Sequence, residues 1–220
     1  MKCALLLLAA LLSPLPVLAQ PAGLLFTIAQ LHYGGGGDWY ANPSSLPNLL
    51  RFLREHTTIE AAAEPAQVEI GDEELFSYPY IYMTGHGNVS FSPAEVLRLR
   101  RYLESGGFLH ADDNYGMDTS FRREIRKVFP LKELVELPAE HGIFHCHFDF
   151  PQGLPKIHQH EGKRPQALGI FEGERLVVLY TYETDLGDGW EDPQVHSDSP
   201  EKHQAALRMG ANIAVWVLTH

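Results

Sequence analysis

Residues 80–113 decide the fold class, and they read YIYMTGHGNVSFSPAEVLRLRRYLESGGFLHADD. The apolar run 80–84 predicts a buried strand. Ser92-Pro93-Ala94-Glu95 then gives a serine N-cap, a proline at the first helical position and a glutamate at the third, so a helix begins there. Gly106-Gly107 ends that helix because glycine adopts the left-handed conformation, and a second strand follows over 108–111. A strand, a helix and a strand in this order predict a parallel βαβ unit.

Further along the chain, apolar runs continue to alternate with helical patterns. The second half differs, because its strand patterns follow one another without a helix between them. We therefore predict a three-layer α/β domain whose sheet is mostly parallel with an antiparallel extension. The further predicted strands are 24–31, 67–70, 143–150, 167–171 and 175–182, and the further predicted helices are 46–56, 120–129 and one that begins after Ser199-Pro200.

The first nineteen residues have the pattern of a cleavable secretory signal. Lys2 precedes an apolar block at 4–12, and Val17-Leu18-Ala19 offers a small-residue cleavage site before Gln20. The block is shorter than the roughly 20 residues that a membrane-spanning helix needs. We expect a signal peptide over 1–19, a single domain over 20–220, export to the periplasm or medium, and no membrane span after cleavage.

Composition narrows the possible partners. The 220 residues contain 28 acidic and 17 basic side chains, a formal net charge of −11. This charge repels phosphate backbones, so nucleic acid is excluded as an expected partner.

Removal of the signal takes Cys3 with it and leaves Cys146 as the sole cysteine, so stability must come from packing rather than from an intramolecular disulfide.

Polar residues follow three of the predicted parallel strands. Ligands of open α/β sheets bind beyond the carboxyl ends of the strands, so these residues predict a site at one edge of the sheet. The alternative is that they only cap helices and form turns. The candidate catalytic residues are Asp112, Asp113 and His86, and the candidate ligand-binding residues at the same edge are His32 and Asn114.

Three segments resemble a known bacterial family. They are Tyr80–Gly87, Glu104–Leu109 and Asp185–Trp190, and they look like the family of domain of unknown function 4159. That family is similar in fold to class I glutamine amidotransferases, which have a flavodoxin-like parallel sheet, and it brings no established activity. The stretch that matches the nucleophile motif of amidotransferases is Asn114-Tyr115-Gly116-Met117, so the resemblance places Asn114 where those enzymes carry a cysteine. The carboxamide of asparagine is not a nucleophile for acyl transfer.

A second candidate site is metal-binding. If 143–150 is a strand, Cys146 points with the phenylalanines, while His145, His147 and Asp149 share the opposite face. Two histidines at this spacing can share zinc, with His158 and His160 in the following loop as further ligands. The competing interpretation is a polar, solvent-facing stripe.

The acidic segment 185–192 offers oxygen ligands suited to calcium, although a solvated turn is the favoured interpretation. Aromatic side chains beside carboxylates also suit sugars, as at Asp38 with Trp39 and at Asp188 with Trp190. Such rings equally often anchor a loop to the core.

The leading functional hypothesis is therefore an exported module that binds a small molecule or a glycan, with a cell-wall fragment as one possibility. The first alternative is a hydrolase that uses aspartate and histidine, with or without a divalent metal such as zinc or calcium. The second alternative is an assembly protein with a protein partner in the cell envelope.

Overall fold

The computed structural model describes residues 25–112 and 115–220. The predicted signal, Asp113 and Asn114 lie outside the described residues. The strands are β1 (Ile28–His32), β2 (Ala66–Glu69), β3 (Tyr80–Met83), β4 (Phe108–Asp112), β5 (Val135–Glu136), β6 (Gln166–Glu172) and β7 (Arg175–Tyr182). These seven strands form one sheet in the order β2-β1-β3-β4-β7-β6-β5.

The sheet is parallel from β2 to β7 and antiparallel beyond it. β3 and β4 pair in parallel with Tyr80 opposite Phe108, and β4 pairs in parallel with β7. β6 and β5 complete the sheet as antiparallel strands. The carboxyl ends of β1, β3, β4 and β7 therefore meet at one edge, in the doubly wound order in which ligands bind at that edge. The predicted fold class is confirmed.

Helices cover both faces of the sheet. They are α1 (Ser45–His56), α2 (Pro93–Glu104), α3 (Asp118–Val128), α4 (Leu186–Trp190), α5 (Pro193–His196) and α6 (Pro200–Thr219). Leucines of α1 and the buried face of α6 pack with Trp190 on one side, while apolar residues of α2 and α3 pack on the other. The predicted capping box of α2 is present, with Ser92 accepting from the Glu95 amide. Among the described helices, none combines the length and the apolar character that a membrane span requires.

The strand predicted over 143–150 is wrong. A short 3₁₀ helix, Gly142–Phe144, and irregular turns occupy this region. The buried Asn212 of α6 explains the difference, because its side-chain amide donates to the carbonyl oxygens of Ile143 and Phe148 and accepts from the Phe148 amide. One side chain thus satisfies backbone groups that a neighbouring strand would otherwise have to pair.

Candidate functional site

The edge predicted from the sequence carries an exposed group of residues at the ends of β1 and β3. His86 Nδ1 lies 2.9 Å from Asp38 Oδ2, and the His86 amide also donates to Asp38. His32 has different partners: its Nδ1 lies 2.9 Å from Glu69 Oε1, and its ring contacts Trp39. We call His32, Asp38, Trp39, Glu69 and His86 the rim group.

Asp112, at the end of β4, is completely buried. Its carboxylate accepts from the Gly187 amide at 2.6 Å, from the Thr181 hydroxyl and, at 3.4 Å, from Tyr82 Oη. In this conformation Asp112 holds the loop after β7 and has no surface with which to touch a ligand. The catalytic role expected for Asp112 stays a prediction, and what the structure shows is a carboxylate that positions the loop.

The acidic segment after β7 also differs from its favoured interpretation. It is not a solvated turn, because Asp185, Asp188 and Glu191 are buried around the short helix α4. The Asp188 Oδ1 atom accepts from Asn42 Nδ2 at 2.7 Å. The carboxylates are thus held in a polar layer between the sheet and the loops.

Three histidines join these carboxylates. His158 Nδ1 lies 3.2 Å from Asp188 Oδ2, and His196 Nδ1 lies 3.4 Å from the same oxygen. His160 Nε2 lies 3.1 Å from Asp185 Oδ2, outside the hydrogen-bonding direction. We call Asp185, Asp188, His158, His160, Glu191, His196 and Asp198 the buried cluster.

Sequence reasoning named His158 and His160 only as possible partners of His145, and it missed His196 and Asp198 altogether. The spacing of these residues gives no metal-ligand motif, since Asp188 is 30 residues from His158. Within the described residues, the His/Cys/Asp/Glu group whose ligand atoms could share a metal is His158, Asp188 and His196, with those atoms all within 4.8 Å of one another.

His145 and His147 lie apart from this cluster. His145 contacts Asp149 through Nδ1 and the Ala139 carbonyl through Nε2, while His147 Nε2 contacts the His56 carbonyl. With no strand at 143–150, the two rings do not share a face, and the structure shows no common metal position for them. Cys146 is partly buried, and its thiol donates to the Asn212 carbonyl at 3.2 Å.

Trp190 is completely buried. Its ring packs against Tyr82 and His110, and its Nε1 donates to the Ala206 carbonyl at 2.7 Å. A ring with no exposed face cannot stack on a sugar, so Trp190 is an anchor of α4 rather than the ligand-binding residue expected.

Burial raises the pKa values of the carboxylates in this region, whereas hydrogen bonds to their charged forms lower them. Burial raises the pKa of Asp112 to about 6, although its hydrogen bonds with Thr181 and Gly187 oppose the shift. Burial, with the nearby charge of Asp188, also holds the pKa of Asp185 well above its usual range. The hydrogen bond with Asp188 raises the pKa of His158 to about 9. The described geometry therefore favours a protonated Asp185 beside an ionised Asp188.

The backbone around the buried cluster is strained. Among the described residues, the non-glycine residues with positive φ are Asn42, Glu183, Asp185 and Ser197, at φ values of 57° to 61°. Each belongs to the cluster or adjoins one of its members. Such conformations cost on the order of 1 kcal/mol or more each and concentrate at functional sites.

A polar cavity of about 190 Å³ opens beside the cluster. Tyr115 is 60 % exposed, and its ring stacks on His160 with 6.2 Å between ring centroids. Lys163, on another wall, lies 2.7 Å from Tyr182 Oη. The cavity is lined by Tyr115, Gly116, Asp118, Thr119, His160, Glu161, Lys163, Tyr182 and Glu183.

Comparison with known families places the whole described domain in one of them. The sequence model of the family described as a domain of unknown function, DUF4159, matches residues 27–218. The chain belongs to the DUF4159 family. A search of curated proteins finds no match to it.

Membership in DUF4159 confirms the family resemblance drawn from the motifs at 80–87, 104–109 and 185–190. Two of those motifs meet in the structure, since the Gly187 amide binds Asp112 and Tyr82 Oη contacts the same carboxylate. The motifs at 80–87 and 185–190 therefore form part of the polar layer that also contains the carboxylates of the buried cluster.

Proposed function

We propose that this DUF4159 protein is a ligand-binding domain that holds a small polar molecule, of the carbohydrate class, in the cavity between Tyr115 and Lys163. The observation that carries the proposal is the cavity itself. It lies at the ligand-binding edge of the sheet, and an exposed aromatic ring, a lysine and several carboxylates line it.

The size and chemistry of the cavity favour a single small unit. Its volume of about 190 Å³ is below the roughly 300 Å³ at which drug-sized pockets begin. Tyr115 offers a flat apolar face, while Asp118, Thr119 and Lys163 supply acceptors and donors. A monosaccharide, with one apolar ring face and a polar circumference, matches this combination.

Export remains part of the proposal. The pattern of Lys2, the apolar block and Val17-Leu18-Ala19 supports delivery to the cell envelope, where cell-wall sugars are abundant. On this proposal the mature chain begins near Gln20, and N-terminal sequencing of the envelope protein would show it. A similarity in fold to glutamine amidotransferases stays a hypothesis supported by the doubly wound strand order.

Thermal-shift measurements with N-acetylglucosamine, glucose and free glycine test the binding proposal. Binding to the native state raises the melting temperature by mass action, by an amount that grows with ligand concentration. We expect a sugar to stabilise the parent, Tyr115→Ala to lose that shift, and Tyr40→Ala to keep it.

Tyr40 is the matched control because it is an equally exposed tyrosine at 64 %, seated on Trp39 in the rim region. Loss of the shift in Tyr40→Ala alone would move the ligand to the rim group. Equal shifts in all three proteins, or none in the parent, would overturn the proposed pocket.

A second function, hydrolysis, is favoured by the contact between His160 and Asp185, because His160 also lines the cavity. The 3.1 Å contact lies outside the hydrogen-bonding direction, but such pairs often align only when a substrate binds, and a histidine beside a carboxyl group is a common acid-base pair. If the protein is a hydrolase, Asp185→Asn should abolish the formation of hydrolysis product while the ligand-induced thermal shift persists. If it is a binder, no product appears with the parent.

A further inference from the structure

Two imidazole nitrogens face one carboxylate oxygen inside the buried cluster. His158 Nδ1 lies 3.2 Å and His196 Nδ1 lies 3.4 Å from Asp188 Oδ2. The three residues come from separate parts of the chain, the loop before β6, helix α4 and helix α5. Their side chains are 18 %, 27 % and 11 % exposed for His158, His196 and Asp188, so the atoms are shielded while a route to solvent remains.

The opposite atom of each of these side chains has its own partner. His158 Nε2 lies 2.8 Å and 3.0 Å from the two oxygens of Asp198, and His196 Nε2 lies 2.8 Å from Glu191 Oε2. Asp188 Oδ1 accepts from Asn42. A carboxylate on the far nitrogen of a ligating histidine is the usual arrangement at metal centres, where it fixes the ring and its tautomer. The outer partners therefore leave Nδ1, Nδ1 and Oδ2 directed at one another.

The two separations from Asp188 Oδ2 suit a small tetrahedral ion, and the three ligand atoms all lie within 4.8 Å of one another. With bonds of about 2.0 to 2.1 Å, two ligands of a tetrahedral zinc ion lie roughly 3.3 to 3.4 Å apart. The two observed separations from Asp188 Oδ2 are 3.2 and 3.4 Å. Calcium is a poorer match because it prefers six to eight oxygen ligands at longer distances.

Asp185 supplies an independent observation at the same place. It is 1 % exposed, its Oδ1 has no hydrogen-bond partner, and its Oδ2 lies 3.8 Å from His158 Nδ1. A buried carboxylate oxygen without a partner is costly, and a cation beside it would remove the cost. Asp185 is thus placed to take a fourth position directly or through water.

We propose that His158, Asp188 and His196 bind a divalent transition metal, zinc in the first instance, with Asp198, Glu191 and Asn42 orienting them. The three ligands do not line the sugar pocket proposed above, although Asp185 also lies beside His160, which lines that pocket. It also replaces the metal site expected at His145 and His147, since both ring nitrogens of His145 and Nε2 of His147 have other partners.

Metal content decides the proposal. Full-length protein, purified without metal-affinity resin, is stripped with a chelator, dialysed and titrated with zinc chloride alone by calorimetry. We expect one zinc per chain, a higher melting temperature on zinc addition, and the comparatively strong visible absorption of tetrahedral cobalt(II) when cobalt replaces zinc. Binding should weaken by at least 100-fold in His196→Ala and by about 10- to 100-fold in Glu191→Gln, which removes only the charge on the orienting group.

His32→Ala is the matched control, because His32 is another solvent-reaching histidine paired with a carboxylate, and it should bind zinc like the parent. Circular dichroism of His196→Ala separates lost binding from lost folding; if that variant does not fold, Glu191→Gln and its altered cobalt spectrum carry the test. Three results would overturn the proposal: no stoichiometric zinc in the parent, unchanged zinc affinity in folded His196→Ala, or loss of zinc in His147→Ala instead.

Discussion

The rim group and the buried cluster lie at the same edge of the sheet and both pair histidines with carboxylates, yet they differ in exposure to solvent. The His86–Asp38 pair is half exposed, with side-chain exposures of 51 % and 35 %, while Asp185 and Asp198 are 2 % and 4 % exposed. Exposed pairs gain about 0 to 1 kcal/mol because water competes for both partners. Buried pairs depend on one another, since an unpartnered charge there is strongly unfavourable.

The difference shows why residue type at the end of a strand is an incomplete guide to function. Asp112 and Asp38 both follow strands that end at this edge, but Asp112 sits beneath α4 and Asp38 lies in a loop open to solvent. Burial, rather than sequence position, decides which carboxylate is fixed by its partners and which one can exchange them for water.

The largest effect that sharpens this comparison is expected at Asp112. In Asp112→Ala, the Gly187 amide and the Tyr82 hydroxyl lose their buried acceptor, so the free energy of unfolding should fall by roughly 3 kcal/mol. Asp38→Ala should lower it by at most about 1 kcal/mol. Urea unfolding of both variants measures the difference, and equal losses would mean that the two carboxylates are equivalent.

An intermediate effect concerns pH and His110. His110 is completely buried between Tyr80 Oη and Thr181 Oγ1, each 2.8 Å from a ring nitrogen. Burial lowers the pKa of His110 to about 3, so the unfolded chain takes up a proton near pH 6.5 that the folded protein refuses. The contribution of His110 is therefore fully present above pH 6.5 and is lost as the pH falls toward 3, by up to roughly 1.4 kcal/mol per pH unit.

Asp112 acts in the opposite direction over part of this range. Its raised pKa of about 6 means that the folded protein holds a proton which the unfolded chain releases, so the contribution of Asp112 to the free energy of unfolding falls as the pH rises from about 4 to 6.

The difference between the parent and His110→Gln isolates the effect of the histidine. Unfolding free energies measured from pH 7 to pH 4 should fall more steeply for the parent, whereas His32→Gln, at the rim, should follow the parent. Parallel curves for the parent and His110→Gln would show that His110 is not neutral by burial.

The smallest effect is expected at His86. His86→Ala removes an exposed ion pair, so the free energy of unfolding should change by less than about 1 kcal/mol, and 1 M sodium chloride should reduce the difference further. Melting temperatures at low and high salt measure it. If His86→Ala lost as much free energy of unfolding as Asp112→Ala, the rim group and the buried cluster would not differ in the way described above.

The sequence by itself determined those strands and helices that depend on a local pattern, but not β5, α4, α5 or the turns at 143–150. The capping box at Ser92 begins α2 at Pro93, the apolar run before Thr84 forms β3, and the Glu172-Gly173-Glu174 turn joins β6 to β7. These signals lie within a few residues of the structure they specify, so neighbouring residues decide them.

Only the tertiary structure decided where the polar side chains meet. Asn212 replaces a predicted strand with turns by supplying hydrogen bonds from a helix 64 residues away from Phe148. His158 and Asp188 meet across 30 residues, and their contact with His196 follows from the placement of α4 and α5 beside the sheet. No spacing along the chain records such a meeting, because burial and contact are properties of the packed layers rather than of any short segment.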